Sequence, residues 1–356
     1  MRYLGALAPL ALGATAYPFI EARRPRLRRY QLEKAPDLPA LIPLRNPDNT
    51  DLPSDWQLRI LHLSDLHLWS GSEWLCEYVA SLSEFDEIDF VALTGDNFSD
   101  ASGLAMLKRA LKPLFKFPGA FVFGSNDYYS GRAKIPWHYF FPDKKPKLRT
   151  VPDLPTEEFR NFLTDGGWID LNNQVATLNT TSPARQGRSA IALSLALSGV
   201  NDPHIGRDET VKVPPTWGQS KLRLALTHAP YARVLDQYAT WRADLVLAGH
   251  THGGQVCLPG FGALVNNTDL PLSYSGGLHL WKAGTVDNPA PRVHKGKIYP
   301  LPDLGKIAKD EQIGVTRELE QTWVHISRGL GTSKFTPVRL ACPPEASLIT
   351  VSGYSN

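Results

Sequence analysis

Leu58-Arg59-Ile60-Leu61-His62-Leu63 is a short, nearly continuous apolar run that breaks off at Ser64-Asp65-Leu66-His67. Such a run reads as a strand buried on both faces, and the polar cluster after it marks where the strand leaves its sheet. His62 alternates with Leu61 and Leu63, which makes it a packed core histidine rather than a ligand. Moving outward, the pattern repeats. A helical pattern from Trp74 to Leu82 leads into Phe90 to Thr94, which ends in Gly95-Asp96-Asn97. A second helix, roughly Gly103 to Phe115, leads into Ala120 to Phe123, which ends in Gly124-Ser125-Asn126-Asp127. Strands alternating with helices imply a parallel, doubly wound sheet whose ligands collect beyond the carboxyl ends of the strands.

The second half follows the same logic. Strands are expected around Trp168 to Leu171, Val175 to Leu178 and Ala190 to Val200. Leu222 to Thr227 runs into His228-Ala229-Pro230, and Asp244 to Ala248 runs into Gly249-His250-Thr251-His252-Gly253-Gly254. Apolar runs at Trp323 to Ile326, Pro337 to Leu340 and Ser347 to Val351 read as strands closing a second sheet. Residues 131–165, with Trp137, Tyr139, Phe140, Phe141, Lys144, Lys145 and Lys147, are too irregular for a core element and read as an inserted lid carrying a short helix from Thr156 to Leu163.

A single Asp or His at a strand end is usually a cap or a satisfied polar group. Here seven such residues, Asp65, His67, Asp96, Asn126, His228, His250 and His252, each follow a strand-like run. All offer oxygen or imidazole donors of the kind that hard and borderline divalent metals take. In the Asp-x-His and His-x-His pairs, extended backbone would aim both side chains the same way.

These motifs name a family. Asp65-Leu66-His67, Gly95-Asp96, Gly124-Ser125-Asn126-Asp127, Thr227-His228-Ala229-Pro230 and Gly249-His250-Thr251-His252-Gly253-Gly254 resemble, in order and approximate spacing, the calcineurin-like metallophosphoesterases over residues 58 to 351. Gly253-Gly254-Gln255-Val256, Leu258-Pro259-Gly260-Phe261-Gly262 and Ser327-Arg328-Gly329-Leu330-Gly331 are similar to its bacterial, membrane-associated branch, often linked to phosphodiester hydrolysis in lipid metabolism. The resemblance implies a four-layer α/β/β/α sandwich of two mixed sheets and two divalent metal ions, with Mn, Fe, Zn and Co all compatible with mixed N and O donors. It also implies that Asp65, His67 and His252 hold the first ion, that Asn126, His228 and His250 hold the second, and that Asp96 bridges them. The implied reaction is direct attack on phosphorus by a metal-bridging hydroxide.

One motif departs from the family. The family usually reads Gly-Asn-His-Asp or Gly-Asn-His-Glu, its histidine serving the leaving group or the phosphate; by this reading Asp127 holds that place. Asp127 and His250 are therefore the candidate catalytic residues. A carboxylic acid titrating near ~3.9 donates poorly at neutral pH unless burial raises it. That favours activated diesters or anhydrides over alkyl monoesters. Arg328 is the candidate substrate contact, through its fork of donors. Asp202 and His204, in Gly199-Val200-Asn201-Asp202-Pro203-His204, read as a turn outside the ligand set.

Composition bounds the rest. The 356 residues are 42% hydrophobic and 21% charged, a soluble balance, and 38 basic against 35 acidic residues give +3, no field that favours nucleic acid. Cys76, Cys257 and Cys342 lie far apart without a Cys-x-x-Cys spacing, which argues against a disulfide framework or a structural zinc site. Residues 1–30 combine an uncharged stretch, Tyr3 to Ile20, with Arg23, Arg24, Arg26, Arg28 and Arg29. They read as a peripheral or single N-terminal membrane anchor that keeps the catalytic domain in the cytoplasm; a cleaved signal peptide and a buried helix are the alternatives. Residues 31–57 read as a linker and 58–356 as the catalytic domain. The expected partners are a phosphoester substrate, lipid-linked or nucleotide-linked, and the membrane surface. A metal-binding pseudoenzyme at the membrane and a nuclease on the same scaffold are the other classes.

Overall fold

A computed structural model of the chain describes residues 15–34, 41–43, 54–131, 151–184, 189–209, 211–294, 297–299 and 320–353. Within these lie helix α1 (residues 15–21), strands β1 (Arg26–Lys34), β2 (Leu41–Pro43) and β3 (Trp56–Leu63), helix α2 (Glu73–Ser81), β4 (Phe90–Leu93), α3 (Gly103–Leu111) and β5 (Gly119–Phe121). There follow α4 (Thr156–Asp165), β6 (Ile169–Asp170), β7 (Gln174–Ser182), β8 (Ile191–Gly199), β9 (Leu222–Leu226), α5 (Ala232–Thr240) and β10 (Leu245–Ala248). The chain ends with two small hairpins, β11 (Cys257–Leu258) with β12 (Gly262–Ala263) and β14 (Arg292–His294) with β15 (Lys297–Tyr299), and with β13 (Gly277–Lys282), β16 (Gln321–Ile326) and β17 (Glu345–Gly353).

Two mixed sheets face each other, in the orders β2-β1-β17-β3-β4-β5-β6 and β13-β16-β10-β9-β8-β7. The period of two along β3 shows why. Leu58 and Ile60 point between the sheets, into a cluster with Phe90, Val122, Leu195, Leu224 and Leu247. Leu61 and Leu63 point the other way, against α2, α3 and α4 through Leu75, Leu107 and Phe159. On the far face of the second sheet, α5 packs Leu235 and Tyr238 against Val246 and Val324. Helices thus cover both outer faces, which is the expected α/β/β/α sandwich, but the parallel core β3-β4-β5-β6 carries antiparallel additions at its edge.

Four sequence expectations change. Residues 26–34, assigned half to an anchor and half to a linker, form β1, which pairs in parallel with β17 along its whole length. The arginine run is not a detached tail: Arg28 reaches Glu345 and Arg29 reaches Glu87. The lid boundary also moves, because α4 buries Phe159 and Leu163 in the main core; the aromatic and lysine-rich residues 132–150 lie outside the described residues. Pro337 to Leu340 is no strand, since Pro337 has no N–H to give a ladder and the Arg339 N–H is spent on the Pro18 carbonyl of α1. Ser347 to Val351 joins the first sheet, between β1 and β3, rather than closing the second. His62 is indeed packed, but within a polar chain: its Nδ1 lies 2.9 Å from His325 and its Nε2 2.9 Å from Thr94.

Candidate metal centre

The carboxyl ends of β3, β4, β5, β8 and β10 open onto one cavity of about 360 Å³, and that of β9 places His228 buried behind its wall. Asp65 and His67 follow β3, Asp96 follows β4, Asn126 follows β5, His228 follows β9, and His250 and His252 follow β10. Donor atoms of Asp65, His67 and His252 converge within 4.8 Å, as do those of Asp65, Asp96 and His228. The two groups share Asp65. Asp96 lies between them, 3.8 Å from His67 Nε2 and 3.3 Å from His228 Nε2. His250 meets the second group, its Nδ1 3.3 Å from His228 Nε2.

The local backbone is what brings these groups together. Asp65, His67, Asp96, His250 and His252 all have φ between 44° and 71°, in the left-handed region that non-glycine residues avoid. The side chains therefore converge through strained turns, not through the extended backbone that the i, i+2 spacing implies, and such strain concentrates at functional sites. Two glycines make room. A Cβ on Gly124 would lie 2.3 Å from Asp96 Oδ1, and one on Gly249 would lie 1.9 Å from Ser64 Oγ and 2.5 Å from Asp65 Oδ2.

Neighbouring groups set the faces of the imidazoles. His228 Nδ1 lies 2.7 Å from the Thr94 carbonyl, which can only accept, so this nitrogen carries a hydrogen and Nε2 faces Asp96; burial lowers the His228 pKa, but the charge and hydrogen bond of Asp96 raise it well above the usual histidine range. His250 Nε2 likewise faces the Asn267 carbonyl at 3.3 Å, leaving Nδ1 toward the cluster. His67 Nε2 and His252 Nε2 stand 3.1 Å apart on stacked rings. Burial, reinforced by the adjacent imidazoles, holds the His250 and His252 pKa values well below the usual histidine range, so both are neutral ligands-in-waiting. Burial also pushes the Asp96 carboxyl upward, but the charge and hydrogen bond of His228, with His67 and the Asn126 N–H, pull it further down, well below the usual range. Buried carboxylates thus stand beside the neutral imidazoles of His250 and His252. The donor set fits divalent cations with mixed N and O ligands.

Asp127 is not a proton donor to this cavity. It is wholly buried, and its two oxygens accept N–H groups from Gly124, Asp96 and Asn97 and from the Asn97 amide, at 2.8 to 3.0 Å. Burial and the Asp96 charge push its pKa up to about 7 even though the donors aimed at its oxygens pull it down, and those donors turn both oxygens into the loops and away from the cavity. Set end to end with a Gly-Asn-His-Asp series, Gly124-Ser125-Asn126-Asp127 puts Ser125 at the asparagine and Asn126 at the histidine. Asn126 lines the cavity and gives both its N–H and its amide to Asp96, at 2.7 and 2.8 Å.

Arg328 is also displaced. It lines a second cavity of about 570 Å³, with Cys257, Phe261, Leu272 and Cys342, and its Nε lies 3.9 Å from Glu345; it does not line the metal cavity. The arginine that matters here is one the sequence reading passed over. Arg339, fully buried, donates to the carbonyls of Arg328, Gly329 and Gly331 at 2.7 to 3.1 Å and places Nη2 3.3 Å from His252 Nδ1. Asp202 and His204, set aside as a turn, do form one, since Asp202 Oδ1 accepts the His204 N–H at 2.8 Å. That turn nevertheless belongs to the site. His204 lines the cavity, with its ring 4.4 Å from that of His250.

Residues 58–254, more than half the chain, match the model of the calcineurin-like phosphoesterases. The chain belongs to the calcineurin-like phosphoesterase family. Its relatives include a Bacillus subtilis (strain 168) protein named uncharacterized metallophosphoesterase YkoQ, 27% identical over 212 residues that make up 58% of this chain and 66% of that relative. The chain thus spans just under two thirds of the Bacillus protein. An uncharacterized metallophosphoesterase of Aquifex aeolicus (strain VF5) is 23% identical over 317 residues, 86% of this chain and 89% of that one. Among solved structures, phosphopantetheinyl hydrolase of Mycobacterium tuberculosis aligns at 10% identity and a TM-score of 0.32 over 55% of this chain and 83% of that one. Both groups that could hold a metal ion lie within the residues that the family model matches.

Proposed function

We propose that this phosphoesterase hydrolyses a phosphodiester or pyrophosphate bond in an amphiphilic, lipid-type substrate at a membrane surface, using two divalent ions. The convergence of two ligand groups on Asp65 carries the reading. Asp65, Asp96 and the imidazoles of His67, His228, His250 and His252 would hold the ions, which would supply water activation and neutralise charge developing on the phosphoryl group. No residue of the Gly124–Asp127 loop donates a proton to a leaving group, because Asn126 is an amide and Asp127 is buried. Substrates whose leaving groups depart with little protonation are therefore favoured over alkyl monoesters.

The amphiphilic part of the reading rests on shape. The metal cavity is polar at the ligand end and walled by Val256, Leu264, Val265 and Val338 at the other. Beside it, the second cavity is rimmed by Leu258, Leu272 and the 72% exposed Phe261. Ala341, in its wall, gives its N–H to Glu21 of α1, so Tyr17, Phe19 and Ile20, all exposed on α1, belong to the same side. Arg23 and Arg24 follow them, exposed. Apolar side chains beside cations match an anionic lipid surface, each cation near it contributing about 1 kcal/mol. No helix among the described residues is long and apolar enough to cross a membrane, so the contact proposed is peripheral.

A manganese-reconstituted preparation should cleave bis(p-nitrophenyl) phosphate and a lipid-linked pyrophosphate much faster than an alkyl phosphate. A second reading, a metal-binding protein without turnover, draws on Ser125 and Asn126 standing where the family has asparagine and histidine. Full metal uptake with no hydrolysis of any activated ester would establish that second reading instead.

A further inference from the structure

A phosphoester bound at this centre brings anionic oxygens into a cavity that, among the described residues, no lysine or arginine lines. Among the described lining residues, the contacts left to it are neutral donors. Of the imidazoles lining the cavity, His204 is the one outside both ligand groups and outside the His228–His250 contact. It comes from the loop after β8, an element that contributes no ligand.

That loop is built to hold the ring still. Asp202, fully buried, caps the 203–205 turn through the His204 N–H, and Gly206 closes it with φ at 67°. Arg233 Nη2 binds the Pro203 carbonyl at 3.2 Å and Asp208 at 2.8 Å. Asn201 donates its amide to the Tyr128 hydroxyl at 2.7 Å, and the Arg207 guanidinium lies 3.9 Å from the Tyr128 ring centre, so the β8 loop is clasped to the β5 loop that carries Asn126. At the ring itself, Nδ1 lies 3.1 Å from the Tyr231 hydroxyl. Burial pushes the Tyr231 phenol well above its ordinary range, so it stays protonated and can pair with either tautomer of the ring. Where the hydroxyl donates to Nδ1, the imidazole hydrogen sits on Nε2.

We infer that His204 is a substrate-binding residue whose Nε2–H donates a hydrogen bond to a phosphoryl oxygen beside His250. The inference rests on the phosphoester reading above and needs neither a charged imidazole nor proton transfer. It makes the β8 loop the part of the fold that distinguishes phosphoryl geometry, while β3, β4, β9 and β10 hold the ions.

Inorganic phosphate is the probe, titrated calorimetrically into manganese-loaded protein, with metal content, melting temperature, kcat and KM on bis(p-nitrophenyl) phosphate measured in parallel. Loss of one hydrogen bond to a charged oxygen is worth about tenfold in affinity. His204→Ala should weaken phosphate by about that factor and raise KM more than it lowers kcat, with metal content and melting temperature unchanged. His204→Gln, which keeps a donor, should recover most of the loss, and Tyr231→Phe, which frees the tautomer, should fall between. Unchanged phosphate affinity in His204→Ala would overturn the inference, and so would loss of a metal ion, which would make His204 a ligand. Phosphate binding is read without turnover, so a wild type that hydrolyses nothing would refute the proposed activity while the comparison of variants still decides the role of His204.

Discussion

At the scale of single residues, seven polar side chains placed after strand-like runs could be located from sequence because a strand leaves a two-sided apolar trace that ends abruptly. What each does with its partners was less legible. Asp127 sits next to a ligand in the chain yet points away from it, into four N–H groups contributed by two loops. A one-residue shift in motif register hides that, since Asn and Asp both look like ligands until burial is known. His204 was missed for the opposite reason: Asn-Asp-Pro makes a good turn, and the turn is real, but tertiary packing brings it against His250. The role of Asp127 has a sharp consequence. Asp127→Asn offers one acceptor oxygen and turns an amide N–H₂ toward donors, so it should cost about 3 kcal/mol or more in urea unfolding and weaken metal retention. A true general acid would instead lose rate on poor leaving groups at full metal content. Gly249→Ala drives a methyl into Ser64 and Asp65, and the protein should lose metal while its far-UV circular dichroism stays unchanged.

Among elements, most strands of the two central sheets were readable from their apolar runs, with boundaries that moved by a residue or two, except that β7 runs four residues past Leu178 and that β2 and β13 were not read. Nor was β1. Its sequence, Arg-Leu-Arg-Arg-Tyr-Gln-Leu-Glu-Lys, has few apolar residues, because one face is solvated and carries arginine stems, while Leu32 alone is fully buried. α5 was also passed over, although Arg233, Asp236, Gln237 and Thr240 recur along it at helical spacing; all four are buried, so its polar side does not face solvent. What secures β1 is electrostatic as well as apolar. Lys34, at its end, reaches Asp244 at 2.9 Å, and Asp244 also binds Arg223 at 2.7 Å, tying the first sheet to the second. Burial pushes the Asp244 carboxyl up, but Arg223 and Lys34 pull it below its ordinary value. A carboxylate held lower in the folded chain than in the unfolded one contributes stability above pH ~4, and that contribution is lost as pH falls through the folded value. Asp244→Asn should therefore cost about 3 kcal/mol at pH 7, leaving two cations without their partner. The gap between variant and wild type should narrow in melts as pH falls below the ordinary aspartate value near ~3.9. A pH-independent gap would mean that the packing of the side chain, not its charge, does the tying.

For the whole molecule, the separation of metal ligands from the apolar side predicts how activity responds to where the substrate resides. The ligand cluster opens at the carboxyl ends of the strands, and the second cavity lies behind the His252–Gly254 turn, sharing Gly253 and Arg328 with the loops that support the centre. If α1 and the Phe261 loop rest on an anionic bilayer, they bring the cavity mouth to the level of lipid phosphates without any spanning helix. Flotation of the full chain with vesicles containing anionic lipid should recover it in the lipid fraction, and neutral phosphatidylcholine vesicles should recover much less, because the arginine contribution is electrostatic. Phe261→Asp combined with Phe19→Asp should abolish flotation while leaving hydrolysis of soluble bis(p-nitrophenyl) phosphate within about twofold, since neither residue lines the metal cavity. Equal flotation of wild type and double variant would move the contact elsewhere on the surface, and a parallel loss of soluble activity would mean that these side chains support the fold. High salt separates the two forces further: it should release the arginine-held fraction from anionic vesicles and leave any apolar insertion in place.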